Sequence, residues 1–260
     1  MIEIEGLWKE FAKGERRVLA LQDISLSVAE REFVAILGPS GCGKSTLLNM
    51  VAGFDHPTRG TVRVAGEEIV APSPRRAVVF QEPALFPWLS VMENVVFGPK
   101  TQRQAAVDYR RRAAQIIDQV GLSGFETSYP AELSGGMRQR VGIARVLIMQ
   151  PQVLLMDEPF GSLDAQTRML MQELLLKVWE RHHQTVLFIT HDIEEALLLT
   201  DRVCVMTARP GRIKKSIDVG IPRPRAIEVT TSPEFNALRR EVLALIRGES
   251  ACAAIGSAGG

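Results

Sequence analysis

The stretch Gly38-Pro-Ser-Gly-Cys-Gly-Lys-Ser-Thr46 constrains this chain more than any other. Before it, the β-branched run Phe33-Val-Ala-Ile-Leu37 has the length of a buried strand; after it, Leu47-Leu48-Asn49-Met50-Val51 continues with helical character. The order strand, glycine-rich loop, helix gives the spacing a mechanism. Gly38, Gly41 and Gly43 permit backbone angles closed to other residues, so successive N–H groups can turn inward around a phosphate. The helix presents its positive N-terminal end to the same anion. Lys44 then reaches the β- and γ-phosphates, and the Ser45 hydroxyl is placed to ligate magnesium. The plainer alternative is a glycine-rich turn with no ligand, and the strand and helix on either side weigh against it.

At 260 residues the chain is one large domain or two small ones, and either buries an ample core. Lys+Arg 31 against Asp+Glu 30 leaves a net charge of +1, which removes the usual electrostatic motive for non-specific nucleic-acid binding. Cys42, Cys204 and Cys252 are scattered and odd in number, so neither a disulfide framework nor a metal spacing is visible, and a reducing compartment is expected. Met1-Ile-Glu-Ile-Glu5 lacks a basic region followed by an apolar core, and no apolar run approaches the ~20 residues needed to cross a bilayer. The expectation is a cytosolic chain unless a partner holds it at a membrane.

Ile2 to Leu7 and Ile24 to Val28 alternate apolar and polar side chains, which predicts an antiparallel flank. Trp8 and Phe11 fall in the expected turn region between them, either as core or as a platform for an adenine ring. Thr61 to Val64 and Ala77 to Phe80 read as further strands. Gln81 to Trp88 is broken by proline yet carries large apolar residues, a pattern suited to a docking surface. Helical spacing predicts helices over Gln102 to Val120, from Met137 onward, over Gln166 to Arg181 and over Pro233 to Arg247. The run Arg110 to Arg112 reads as a solvated face. Val153 to Met156 and Val186 to Ile189 are continuous apolar runs, as expected of parallel strands buried on both faces. Arg202 to Thr207 and Arg212 to Val219 are further strands, and the small residues of 248–260 predict a disordered tail.

In open α/β sheets ligands sit beyond the carboxyl ends of the strands. The strands ending at Leu37, Met156 and Ile189 are followed by the glycine loop, by Asp157-Glu158 and by Thr190-His191-Asp192, so all three are expected to converge on one site. An acid directly after a buried strand is costly without a charge partner, and magnesium beside Lys44 and Ser45 supplies one. Adjacent strand residues point to opposite sides, which separates two roles: Asp157 in the magnesium shell, Glu158 orienting and deprotonating an attacking water. His191 can donate a hydrogen bond to the γ-phosphate oxygens. A carboxylate placed to activate water favours hydrolysis over a kinase reaction. Leu133-Ser-Gly-Gly136 precedes a helix and forms either a second anion-binding helix start or an ordinary cap with Ser134 as the capping oxygen.

Gly38 to Thr46, Gln81, Leu133-Ser-Gly-Gly-Met-Arg-Gln-Arg140, Val153 to Glu158, Ser162-Leu-Asp164 and His191 together resemble the ordered motif set of ATP-binding cassette (ABC) ATPases over nearly the whole chain. The resemblance implies an α/β P-loop NTPase fold, with a RecA-like mixed-sheet core, an antiparallel β flank and an inserted helical subdomain at about 88–150, all within one domain, 1–247. It implies ATP and Mg2+ as ligands. Gly38, Pro39, Ser40, Gly41, Cys42, Gly43, Lys44, Ser45 and Thr46 would surround the phosphates. Ser45, Gln81 and Asp157 would serve the metal, and Lys44, Glu158 and His191 catalysis. It further implies a head-to-tail homodimer in which Ser134, Gly135 and Gly136 of one copy close over the nucleotide of the other and Asp164 communicates across. Phe11, in preference to Trp8, is the adenine platform where the family usually places its aromatic.

Finer matches narrow the family. Phe80-Gln-Glu-Pro-Ala-Leu-Phe-Pro-Trp88, Met156-Asp-Glu-Pro-Phe160 with Leu163-Asp-Ala-Gln-Thr-Arg168, Thr190-His-Asp-Ile-Glu-Glu-Ala196 and Arg209-Pro-Gly-Arg212 resemble the nitrate, sulfonate and taurine importer ATPases. Such a subunit is expected at the cytoplasmic face of the inner membrane, docked through about Glu82 to Val95 on a two-subunit permease, and served indirectly by a substrate-binding protein. Gly161-Ser162 replaces the more usual Gly-Ala, and direct control by a C-terminal sensor after Arg247 is not expected. Two rivals are a soluble cassette protein acting on nucleic acid or ribosomes and a P-loop kinase. The first commonly carries two cassettes or a coiled-coil insertion, and for the second Leu133 to Gly136 would be idle.

Overall fold

The structure, a computed structural model, describes residues 1–14 and 16–256. They form two compact units, one of residues 1–73 with 183 onward, the other of Pro74–His182. In the first unit β1 (Ile2–Lys13) and β2 (Arg16–Val28) pair antiparallel, and β4 (Arg59–Val64) and β5 (Glu67–Glu68) extend that sheet in the order β2-β1-β4-β5. The flank is longer than the alternation suggests. Register shifts between Ile4 and Leu7, Leu7 and Lys9, and Lys9 and Glu10 interrupt the two-residue period, so the pattern fades while pairing continues. Trp8 and Phe11 therefore lie inside β1, not in a turn.

The second sheet of this unit places β3 (Phe33–Leu37) between β8 (Thr185–Ile189) and β9 (Arg202–Met206), parallel to both, with β10 (Ile213–Asp218) antiparallel to β9. Every residue of β3 and β8 is buried. The helix α1 (Lys44–Ala52) packs on β8 and α6 (Ile193–Leu199) on β3, while Phe33 meets Phe188 edge to face at 5.9 Å between centroids. Burying each large apolar side chain contributes roughly 1.5–3 kcal/mol, and the one polar residue of the two strands, Thr185, is buried with its hydroxyl accepting Arg31 N–H at 2.9 Å. The last helix, α7 (Pro233–Gly256), runs past Arg247, into the stretch expected to be disordered. Ala251, Ala253 and Ala254 are the strongest helix formers and carry it on; residues 257–260 lie outside the described residues.

Arg202 at the start of β9 ties this sheet to the turn before β3. Its guanidinium donates to Glu32 at 2.7 and 3.0 Å and to the Ser27 carbonyl at 2.6 Å. Burial alone pushes the Glu32 carboxyl up, but the Arg202 guanidinium and the Ala29 N–H outweigh it and hold it below its ordinary 4.5. A lowered folded value contributes stability that is present above the unfolded one and is lost as the pH falls through the folded one. Glu32→Gln is therefore expected to lower stability by about 1 kcal/mol at neutral pH and to decline less steeply than wild type below 4.5. Urea unfolding across pH 3–7 reads this; parallel curves would remove the pair from the acid response.

In the second unit β6 (Arg76–Val79) pairs in parallel with β7 (Val153–Asp157), and four helices follow the chain: α2 (Val91–Thr101), α3 (Ala106–Gln119), α4 (Gly135–Leu147) and α5 (Ala165–His182). The helix α2 is not evident from spacing, because Gly98 and Pro99 break its pattern. A capping box starts it, with Glu93 N–H on Ser90 Oγ at 3.2 Å and Ser90 N–H on the Glu93 carboxylate at 2.8 Å. Arg103, with φ 55, separates α2 from α3, which is why α3 begins at Ala106 and not at Gln102. Tyr109, Ala113, Ile116 and Ile117 are its buried stripe, and Arg110 and Arg111 are exposed.

Candidate functional site

In the first unit β3 and β8 run side by side, with Ile36 opposite Ile189, so the glycine loop and His191 leave the sheet at the same edge. The loop is built around backbone that other residues adopt poorly. Gly41 has φ 74 and Gly43 φ 104, and a Cβ on Gly43 would lie 2.6 Å from Leu21 Cδ2. Lys44 is buried, and its Nζ donates to the carbonyls of Gly38 at 2.9 Å and Pro39 at 3.1 Å, closing the loop on itself. Cys42 is buried within it, and that burial pushes its thiol up, so it stays neutral at ordinary pH. Ser40 and Ser45 are exposed, and Pro39 and Thr46 half-buried.

The loop fits a polyphosphate. No side chain caps α1 at Gly43, and its first turn carries no acidic residue, so the positive end of the helix is kept for an anion from outside the chain. His191 is exposed on the short link from β8 to α6. That link is fixed from beneath: the buried Thr190 hydroxyl donates to the buried Glu195 carboxylate and accepts Asp192 N–H at 3.0 Å, and Asp192 caps α6 by accepting Glu194 and Glu195 N–H at 2.9 and 3.1 Å. Phe11 is 44% exposed, with Lys9 Nζ 4.9 Å from its ring centroid, whereas Trp8 is half-buried against β4. An exposed ring offers a face for stacking and a half-buried one offers less.

In the second unit Val79 is opposite Met156, so Gln81 and Asp157-Glu158 leave β6 and β7 at one edge. Asp157 ends β7. Glu158 is not on the strand: its φ of 45 puts it in the left-handed region, where the chain turns sharply and Gly161 N–H returns to the Glu158 carbonyl at 3.1 Å. Strand alternation therefore does not separate these two carboxylates; the turn does, and a non-glycine residue held there is a strain that clusters at functional positions. A Cβ on Gly161 would lie 3.1 Å from Gln81 Nε2 and 3.4 Å from the Glu158 carbonyl, so Gly161 lets Gln81 lie beside this turn.

Ser134 caps α4, its Oγ accepting Met137 N–H at 3.2 Å. Ser134 and Gly135 are exposed, while Gly136 is buried and a Cβ there would lie 2.5 Å from Thr167 Cγ2. Asp164 caps α5 by accepting Thr167 N–H at 3.0 Å, and that bond holds its carboxyl below the ordinary value. Among the described residues no group of three or more His, Cys, Asp or Glu is placed to hold a metal. Ser45 in the first unit, and Gln81 and Asp157 in the second, each carry a hard oxygen donor of the kind magnesium takes. Arg209 and Glu195 lie in stretches that carry the family resemblance and Arg225 in none; the contacts each makes, with backbone carbonyls or with the Thr190 hydroxyl, are not legible from spacing.

A family profile described as ABC transporter matches residues 21–161. An aliphatic sulfonates import ATP-binding protein of Bacillus cereus is 45% identical over 242 residues, covering 93% of this chain and 94% of the relative. A taurine import ATP-binding protein of Jannaschia sp. is 49% identical, covering 88% and 87%, and a nitrate import ATP-binding protein of Synechocystis sp. is 44% identical, covering 95% of each. A solved dimeric structure of a post-hydrolysis state of an ATP-binding cassette bound to ADP and Pi is 32% identical, with a TM-score of 0.74, covering 85% of this chain and all of that one.

Proposed function

This chain belongs to the ABC transporter family and is an ATP-hydrolysing cassette, and we propose that it powers import of a small anion: an aliphatic sulfonate, taurine or nitrate. The uncapped, acid-free N-terminus of α1 behind the glycine loop carries the ATP reading, and the similarity to importer subunits of those three substrate classes supports the rest. Gly38 to Thr46 hold the phosphates through backbone N–H groups, Lys44 draws charge from the β- and γ-phosphoryl oxygens, and Phe11 supports the adenine. Magnesium, when bound, neutralises charge developing on those oxygens; Ser45, Gln81 and Asp157 are its proposed ligands. Glu158 takes the proton of the attacking water, and His191 donates to the γ-phosphoryl group as it leaves.

The proposal includes a homodimer, in which Ser134, Gly135 and Gly136 of one copy cover the nucleotide of the other and Asp164 lies near the junction. It also includes a two-subunit permease on the Glu82 to Val95 segment, an extracytoplasmic binding protein, and a peripheral position at the cytoplasmic face of the membrane. No helix among the described residues is long and apolar enough to cross a membrane. The second unit supports docking. Trp88 is 70% exposed beside Phe86, whose ring meets that of Phe97 at a 42° tilt, 4.4 Å between centroids, and lies under the Arg145 guanidinium at 4.9 Å. Asn94 fixes this segment, donating to the Phe86 and Leu89 carbonyls and accepting Phe86 N–H. A cavity of about 160 Å3 opens beside it, lined by Val79, Phe80, Pro83, Gly142 and Arg145 among others.

Co-expression with a candidate two-subunit importer permease is expected to yield a membrane complex whose ATP hydrolysis rises when the binding protein carries its anion. Trp88→Ala should weaken that assembly by roughly 2 kcal/mol, as for a central aromatic at an interface. Co-purification with nucleic acid and no membrane protein would favour a soluble cassette instead.

A further inference from the structure

The loop Thr207–Arg212 between β9 and β10 is built against the outside of the glycine loop. Thr207 Oγ1 holds it closed, accepting Arg212 N–H at 3.0 Å and lying 3.0 Å from the carbonyls of Ala208 and Pro210. Gly211 stitches it to β2, its N–H on the Ala20 carbonyl and its carbonyl on Gln22 N–H, both at 2.9 Å. The Arg212 guanidinium adds two bonds to Gln22 Oε1, at 3.2 and 2.5 Å. From the far side Glu249 of α7 accepts Ala208 N–H at 3.1 Å while paired with Lys214.

Two points of this loop touch the phosphate loop itself. The Arg209 guanidinium donates twice to the Gly41 carbonyl, through Nε at 3.2 Å and Nη2 at 3.0 Å. Gly211 lies so close to the Cys42 carbonyl that a Cβ there would be 2.2 Å from its oxygen. In a planar trans peptide the carbonyl of one residue and the N–H of the next point in opposite directions. Holding the Gly41 carbonyl outward therefore turns the Cys42 N–H inward, where it points across the loop to the Pro39 carbonyl at 3.3 Å, and the close approach of Gly211 limits where the Cys42 carbonyl, and with it the Gly43 N–H, can turn.

We propose that Arg209 is a positioning residue for nucleotide binding: from outside the phosphate loop it pins the Gly41 carbonyl and so pre-sets the inward N–H groups that receive the phosphates. This rests on the reading of Gly38 to Thr46 as the nucleotide loop. Without Arg209 the Gly41 peptide is free to rotate, and binding must order it again, a cost that appears in affinity and not in turnover at saturation. Arg209 is exposed, so its removal opens no cavity. Lysine brings a single point donor where the guanidinium brings a fork.

The test is equilibrium binding of MgADP to the purified full chain, with hydrolysis and nucleotide-free thermal unfolding measured on the same samples. Arg209→Ala is expected to bind MgADP about fivefold to tenfold more weakly, to raise KM for ATP by the same factor, and to keep kcat within about twofold. Arg209→Lys should recover part of the affinity. Gly211→Ala, which presses on the neighbouring carbonyl, should weaken binding in the same direction. MgADP affinity unchanged in Arg209→Ala, or a fall in kcat at saturation equal to the fall in kcat/KM, would overturn the proposal. Failure of the wild-type chain to bind MgADP would instead overturn the nucleotide reading, and this proposal with it.

Discussion

Glu158→Gln is expected to lower ATP turnover by about a thousandfold while nucleotide binding persists. The amide keeps the size of the carboxylate and the hydrogen-bonding reach of one oxygen, but it cannot take a proton from water. Turnover then loses the general-base contribution of roughly 10²–10⁴ and retains what the phosphate loop supplies through positioning. Because φ at this residue is 45, the comparison must hold the backbone constant. Gln is a fair replacement on that ground, since both residues meet a similar cost in the left-handed region. The proposed dimer should persist with ATP bound, so light scattering would show a larger species with ATP than with ADP. Phosphate release at the wild-type rate would remove Glu158 from its role as base.

Arg225→Met is expected to lower stability by about 3 kcal/mol, close to 8 °C in Tm for a chain of this size. Arg225 is a buried cation held by carbonyls: those of Leu197, Leu198 and Thr200 at the end of α6 on Nη1, and that of Ile221 on Nε and Nη2. Burial, with repulsion from Arg223, pushes its guanidinium down to about 10, so it stays charged at neutral pH and its desolvation opposes folding. Methionine relieves that cost but orphans four acceptors, each worth about 1–3 kcal/mol when unmet. The acceptors win because the last carbonyls of a seven-residue helix have nowhere else to turn. Urea unfolding measures the difference; a variant as stable as wild type would mean that water replaces the guanidinium.

The parts of the fold most legible in the sequence were those where burial is two-sided. Phe33 to Leu37 and Val186 to Ile189 admit no polar residue, and both are strands within a residue of their expected ends. Harder to read were elements whose order comes from a few polar contacts. The signal for α2 was Ser90 with Glu93 three residues on, and for α6 it was Asp192, but neither helix shows a stripe long enough for periodicity to reveal it. The glycine loop was legible because phosphate binding needs special backbone at fixed spacing. The turn at Glu158 was not, since nothing about a Glu-Pro pair announces a positive φ. Arg209 and Arg225 act on backbone carbonyls far away in sequence, and such partners leave no trace in composition or spacing.

The place of β3 between β8 and β9 also bears on how the chain is made. Val34 is opposite Leu187 on one side and Arg202 on the other, so the strand that launches the glycine loop is completed only by segments synthesised far later. In the flank β1 pairs with its sequence neighbour β2, and β4 joins β1 by Val64, so this sheet can form while the ribosome still works. At about 5–20 residues per second, many seconds separate the emergence of Gly38 to Thr46 from that of β9. During that interval the nascent chain carries the residues for nucleotide without the sheet that shapes them, along with an apolar strand in need of cover. A truncated product ending before β9 is expected to be a target for proteolysis and to bind no nucleotide.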